Sequence, residues 1–178
     1  MNLPNLITIL RILLVPAFII LLLYGRHPWA LAVFALAELT DSLDGLIART
    51  SNQRTELGTY LDPIADKLLL TAAFVTLSFL HAIPVWSAIV VVSRDLILIF
   101  GAIILHMTQT ELDITPSWLG KSTTVLQLIY ILVVLFLMVF RSETVILFPL
   151  LIFTIVLTII SGLHYIYRSI RSLNTELT

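Results

Sequence analysis

The chain has 178 residues, of which 59% are hydrophobic and 12% charged, with a formal net charge of −1. A soluble domain carries about twice that share of charge, so the composition is that of a polytopic membrane protein in a single domain, residues 1–178. There is no cysteine, which excludes disulfides, thiolate catalysis and cysteine-based metal sites, and no basic patch suggests nucleic acid.

Residues 2–5, NLPN, read as a polar turn. The apolar run from about Leu6 to Tyr24 is long enough to span a bilayer. No A-x-A-like cleavage site follows it, so it reads as a retained helix and not a removed signal. Arg11 interrupts it early and has two readings: snorkelling to the interface, or helping to close a substrate site. GRHP at 25–28 is a short loop with Trp29 at the interface. Helix 2 is predicted from about Pro28 to Arg49, with TSNQRT at 50–55 as the turn into helix 3, about Glu56 to Leu80. Helix 4 is predicted over about 85–107 and carries Arg94 and Asp95 in its middle. An arginine inside an apolar helix is a functional candidate. Neighbouring residues point about 100° apart on a helix, so Arg94 and Asp95 are not expected to satisfy each other fully. TQTELDITPS at 108–117 is the longest polar connection. Helix 5 runs from Trp118 to about Phe140, RSET at 141–144 is a loop, and helix 6 spans about 145–167. The polar tail RSIRSLNTELT is expected to fray.

The fold class is therefore all-α, a polytopic integral membrane protein with six transmembrane helices. Arg11, Arg49, Arg54, Lys121, Arg168 and Arg171 fall on one side and Arg26 and Arg141 on the other. That bias places both termini and the turn between helices 2 and 3 in the cytoplasm.

The chemistry concentrates in residues 41–67, DSLDGLIARTSNQRTELGTYLDPIADK. Asp41, Asp44, Asp62 and Asp66 stand there in sequence that otherwise reads as membrane-buried. Carboxylates at bilayer depth are costly without counter-charge. The local cations Arg49, Arg54 and Lys67 do not balance four Asp and Glu56. A divalent metal is the simplest missing charge, and an all-oxygen donor set favours magnesium, manganese or calcium over zinc. Asp41 and Asp44 are i and i+3, Asp62 and Asp66 are i and i+4, so two helices each present a carboxylate pair on one face. Gly45, Ala48 and Gly58 allow close approach of a backbone or ligand. Asp62–Pro63 either begins helix 3 or kinks it. Glu38, one turn before Asp41–Ser42, reads as a hydrogen-bonding neighbour and not a ligand.

This stretch resembles the signature of the CDP-alcohol phosphatidyltransferases, D-x2-D-G-x2-A-R-x8-G-x3-D-x3-D. All eight fixed positions match: Asp41, Asp44, Gly45, Ala48, Arg49, Gly58, Asp62 and Asp66. The opening LPNLITILRILLVP also resembles the start of that family. The resemblance implies transfer of a phosphatidyl group from CDP-diacylglycerol to an alcohol with release of CMP. It implies Mg2+ or Mn2+ as cofactor, with two ions expected, held by Asp41, Asp44 and Asp62 with Asp66 sharing one. It makes Asp66 the general base, places Asp41, Gly45, Ala48 and Gly58 around the CDP moiety, and sets Arg49 and Lys67 on donor phosphates. It also implies membrane lipid partners and a homodimer. Arg94 and Lys121 are the candidates for the acceptor's phosphate.

Two glycerol-based branches lie nearest: phosphatidylglycerophosphate synthases, which use glycerol 3-phosphate, and CMP-forming cardiolipin synthases, which use phosphatidylglycerol. The first branch usually carries Arg-Glu in helix 4 and a second arginine eight residues after the first. Here the pair is Arg94-Asp95 and the later position is Ala102. NQR at 52–54, IPVW at 83–86, SRD at 93–95 and the final YIYRSIR resemble the second branch, so the reading leans slightly to phosphatidylglycerol. A remote alternative is a small ion or proton transporter built on the intramembrane carboxylates and Arg94. The clustering of the acids and the absence of a sequence repeat count against it.

Overall fold

The computed structural model of the chain describes residues 3–51, 56–107, 118–141 and 144–176, with side chains over 9–40, 67–101, 118–141, 144 and 146–168. Among the described residues there are six α-helices, one short 3-10 turn and no strand. They are α1 (Leu3–Leu23), α2 (His27–Ser51), α3 (Glu56–Phe79), α4 (Val85–Met107), α5 (Trp118–Val139) and α6 (Phe148–Glu176). The connections at 52–55, 108–117 and 142–143 lie outside the described residues.

Most helix ends fall where the polar punctuation puts them, and two do not. α1 already includes Leu3–Asn5, because a proline in a helix's first turn gives up no helical hydrogen bond and brings a suitable φ. The tail expected to fray is helical to Glu176. After Gly162 it contains no glycine or proline, and Arg, Leu and Glu are good helix formers. α3 begins at Glu56, so Asp62–Pro63 sits inside the helix and not at its start.

The odd-numbered helices end alike. Gly25 has φ 70, and Gly25 N–H and Arg26 N–H donate to Leu22 O and Leu21 O at 3.0 and 2.8 Å. This is the left-handed cap that closes a helix C-terminus. His81, at φ 57, repeats it after α3, with His81 N–H donating to Ser78 O at 3.0 Å and Ala82 N–H to Leu77 O at 2.9 Å. Arg141, at φ 55, repeats the turn after α5. The last two turns are linked, since Thr144 Oγ1 donates to Ala82 O at 2.7 Å.

α1 packs against α2 and α3, α6 packs against α4 and α5, and the halves join through α3–α4 and α2–α5 contacts. Each helix buries a stripe of helical period: Ala30, Phe34 and Ala37 on α2, Leu69, Leu70, Ala73, Phe74 and Leu77 on α3. Phe18 meets Phe34 with ring centroids 5.5 Å apart, and Phe74 stacks on Tyr130 at 6.1 Å. Outside the stripe the helices expose large apolar side chains, among them Leu13, Leu39, Phe79, Ile89, Trp118, Phe153 and Leu163. By length and composition, two helices among the described residues are apolar enough to cross a membrane: Trp118–Val139 and Phe148–Arg168.

Candidate active site

The structure places the signature on two successive helices. Asp41, Asp44, Gly45, Ala48 and Arg49 belong to the second half of α2. Gly58, Asp62 and Asp66 belong to the first half of α3. The carboxylates therefore do come as one pair per helix, with helical spacing within each pair. Their side chains, with those of Gly45, Ala48, Arg49 and Gly58, lie outside the described residues. Among the described residues no group of three or more His, Asp or Glu could hold a metal. The donor set itself suits a hard divalent cation, being four carboxylates and nothing softer.

The described part of the site begins at Lys67, next to Asp66. Lys67 Nζ lies 3.7 Å from Asp95 Oδ1, joining α3 to α4. The same oxygen accepts from Arg94 Nη1 at 2.8 Å. Arg94 and Asp95 therefore meet through one Nη, yet they do not satisfy each other fully, as expected: Arg94 Nε has no hydrogen-bond partner and Asp95 takes a second cation. The arginine side chain is long enough to curl back to its neighbour with that one nitrogen. Asp95 thus pairs with a cation of a second helix as well as with its own neighbour.

Arg94 is 6% exposed. Its Nη2 donates to Ser161 Oγ of α6 at 3.3 Å, a long bond. Its Nε is buried and has no hydrogen-bond partner. A guanidinium has five N–H donors in a fixed fork, and a buried donor without an acceptor costs about 1–3 kcal/mol. The Nε–Nη2 edge, the one that grips an oxyanion through two parallel bonds, is therefore the weakly engaged edge. The stem of Arg94 passes over Gly162, where an added Cβ would stand 3.4 Å from Cγ.

Two turns along α4, Gly101 faces α6 as well. A Cβ there would meet Tyr165 Cε1 at 2.6 Å. The close approach that Gly101 permits is taken by this chain's own tyrosine and is not an open apolar notch. Ala102 has no described side chain. Lys121, the other acceptor candidate, is exposed in the first turn of α5 and is not bonded into the Arg94 cluster.

Arg11 is 2% exposed, which corrects the snorkelling reading, because a snorkelling head group would stand clear of the protein. Arg11 and Glu38 lie 14 and 13 residues either side of Gly25, so two antiparallel helices put them at similar depth, close to the level of Asp41. Sequence reasoning missed Ser161 and Gly162. The available signal was a Ser-Gly pair interrupting an otherwise apolar span.

Residues 1–160 match the profile of the CDP-alcohol phosphatidyltransferases. The chain belongs to this family. It is 35% identical over 180 residues to a probable phosphatidylglycerophosphate synthase of Mycobacterium tuberculosis, covering 97% of this chain and 83% of that protein. It is 42% identical over 121 residues to the Homo sapiens cardiolipin synthase (CMP-forming), covering 67% of this chain and 39% of that one. It is 40% identical over 136 residues to a CDP-diacylglycerol–glycerol-3-phosphate 3-phosphatidyltransferase of Pseudomonas fluorescens, covering 69% and 67%.

Proposed function

We propose that the protein transfers the phosphatidyl group of CDP-diacylglycerol to a glycerol-based acceptor and releases CMP. The observation that carries this reading is the continuity of the eight-residue signature on α2 and α3 with the Lys67–Asp95–Arg94 cluster beside it. Anion-binding cations thus adjoin an all-carboxylate donor set.

Asp41, Asp44, Asp62 and Asp66 would hold the divalent metal, magnesium or manganese. When bound, such a metal neutralises the diphosphate and polarises the phosphorus under attack. The residues of the chain do the rest. Arg49 and Lys67 bind donor phosphate oxygens, and Gly45, Ala48 and Gly58 leave room for the CDP moiety. Asp66 takes the proton from the acceptor hydroxyl at a carboxylate oxygen. Arg94 offers its Nε–Nη2 edge to the acceptor's phosphate, with exposed Lys121 as the second cation for it.

The bundle crosses the bilayer six times, with both termini and the site on the cytoplasmic side, and works as a homodimer. Apolar side chains exposed on α1 to α6 support the six spans, since a soluble bundle would turn polar faces outward.

For the acceptor, the reading is phosphatidylglycerol. Its diester carries one negative charge, which suits the single open edge of Arg94, and the position eight residues on is Ala102 and not a second arginine. Glycerol 3-phosphate is the second reading, favoured by the length of the match to the M. tuberculosis relative. The test is a competition with labelled CDP-diacylglycerol and both acceptors at equal concentration. Cardiolipin is the expected product. Dominant phosphatidylglycerophosphate would transfer the assignment to the second reading.

A further inference from the structure

Asp95 belongs to no part of the eight-residue signature, yet it ties α3 to α4, and its partner Arg94 reaches on to α6. One oxygen, Oδ1, faces Lys67 Nζ of α3 at 3.7 Å and Arg94 Nη1 at 2.8 Å. Its side chain is 10% exposed, that of Arg94 7% and that of Lys67 31%. Burying a carboxylate to this degree is costly unless charged partners face it. Here both partners are cations that the proposed reaction uses. The third helix enters through Ser161, whose Oγ accepts from Arg94 Nη2 at 3.3 Å. The guanidinium is thus fixed at its two Nη ends, one firmly and one weakly, while Nε stays buried with no acceptor.

We propose that Asp95 is a positioning residue that holds Lys67 toward the donor's phosphates and Arg94 toward the acceptor's, so that one carboxylate sets the spacing between the two substrates. The proposal rests on the reading of Lys67 and Arg94 given above and names what places them. Among the described groups, Asp95 offsets one of the two positive charges that Lys67 and Arg94 bring together and leaves positive charge to attract an oxyanion. Orientation matters because transfer needs the acceptor oxygen in line with the leaving group, and small misplacements of a bound substrate are costly. Ser161 has a narrower part. Its described side-chain hydrogen bond is to Arg94 and not to Lys67 or Asp95, so it aims the acceptor end.

The test uses the full chain in detergent with Mg2+, CDP-diacylglycerol and phosphatidylglycerol, with KM for each substrate and kcat measured separately. Asp95→Asn should raise both KM values by about 10-fold or more, the range typical of losing a residue that orients a ligand, with kcat falling less. Asp95→Glu keeps the charge and should restore both values to within a few-fold of native. Ser161→Ala should raise the acceptor KM and leave the donor KM unchanged. If Asp95→Asn does not fold, Asp95→Glu and Ser161→Ala decide the matter. Unchanged KM values in Asp95→Asn, a Glu variant as impaired as the Asn variant, or a Ser161→Ala protein with native acceptor KM would each overturn the proposal. Lys67→Gln and Arg94→Gln separate the two layers of the argument. If these raise their respective KM values while Asp95→Asn does not, the positioning role fails and the substrate reading stands. If they change neither KM, the substrate reading itself fails.

Discussion

Replacing Gly101 with alanine tests how tightly α4 and α6 are keyed together beside the site. The added Cβ would stand 2.6 Å from Tyr165 Cε1, 3.0 Å from its Oη and 3.2 Å from Cζ. Carbon atoms in good contact sit about 3.5–4.0 Å apart, so the ring must move by close to 1 Å. Moving it breaks the bond that Tyr165 Oη donates to Leu98 O, already long at 3.4 Å. Overpacking of this size costs about 1–3 kcal/mol. Against that, alanine gains about 0.5–1 kcal/mol over glycine within a helix. The steric term wins, and Gly101→Ala should be net destabilising. The assay is unfolding in detergent, in the native background and with Tyr165→Leu. Once the ring is gone, only the helix term remains, and Gly101→Ala should become neutral or mildly stabilising. An equal loss in both backgrounds would show that the cost arises elsewhere and would refute the reasoning.

Three further outcomes follow from the site. Removing divalent ions with a chelator should abolish CMP release, and magnesium or manganese should restore it; full turnover after exhaustive chelation would end the metal argument. Asp66→Asn should slow transfer by about 10²–10⁴-fold, the usual contribution of a general base, while donor binding persists. Near-native turnover would place the base elsewhere. Single cysteines at Ser51 and Ser142, in a chain that has none of its own, should label from opposite faces of the membrane. Labelling from the same face would sink the six-span arrangement.

The helices were legible because apolar runs of membrane length are separated by strong punctuation. Gly25 supplies a positive φ at the end of α1, and Pro84 precedes α4 at Val85. The signature was legible because its spacing matches helical turns on α2 and α3. What eluded the sequence was contact between residues far apart along the chain. Ser161 lies 67 residues from Arg94, and nothing local says that α6 rather than a lipid covers that guanidinium. The Gly101–Tyr165 contact hides for the same reason: a glycine marks a close approach without naming what approaches. The Arg94–Asp95 pair was legible in part: backbone geometry rightly left the guanidinium short of full satisfaction, while the long flexible side chain still reaches its neighbour's carboxylate with one Nη. The extension of α6 was missed because polarity was taken as disorder, though its residues favour the helix.

Buried charge and buried neutral polarity are distributed unevenly over the described part of the bundle. Among the described residues the buried charged side chains, Arg11, Arg94 and Asp95, stand on α1 and α4. The buried polar groups of α5 and α6 are neutral. Gln127 Nε2 donates to Thr158 Oγ1 at 3.0 Å, Thr158 Oγ1 donates to Thr154 O at 2.8 Å, and Thr123 Oγ1 donates to Leu119 O at 2.7 Å. Such bonds hold membrane helices together where apolar contact with a neighbouring helix offers little over contact with lipid. They make few demands, because a hydroxyl can fall back on its own helix carbonyl. A buried charge has no such fallback and must keep its partners. Arg94 lies where the two kinds of surface meet, bonded on one side to a carboxylate of its own helix and on the other to a serine of the neutral scaffold. Its remaining buried Nε–H has no such acceptor, and the reaction proposed here brings a phosphate to fill that need only while substrate is bound.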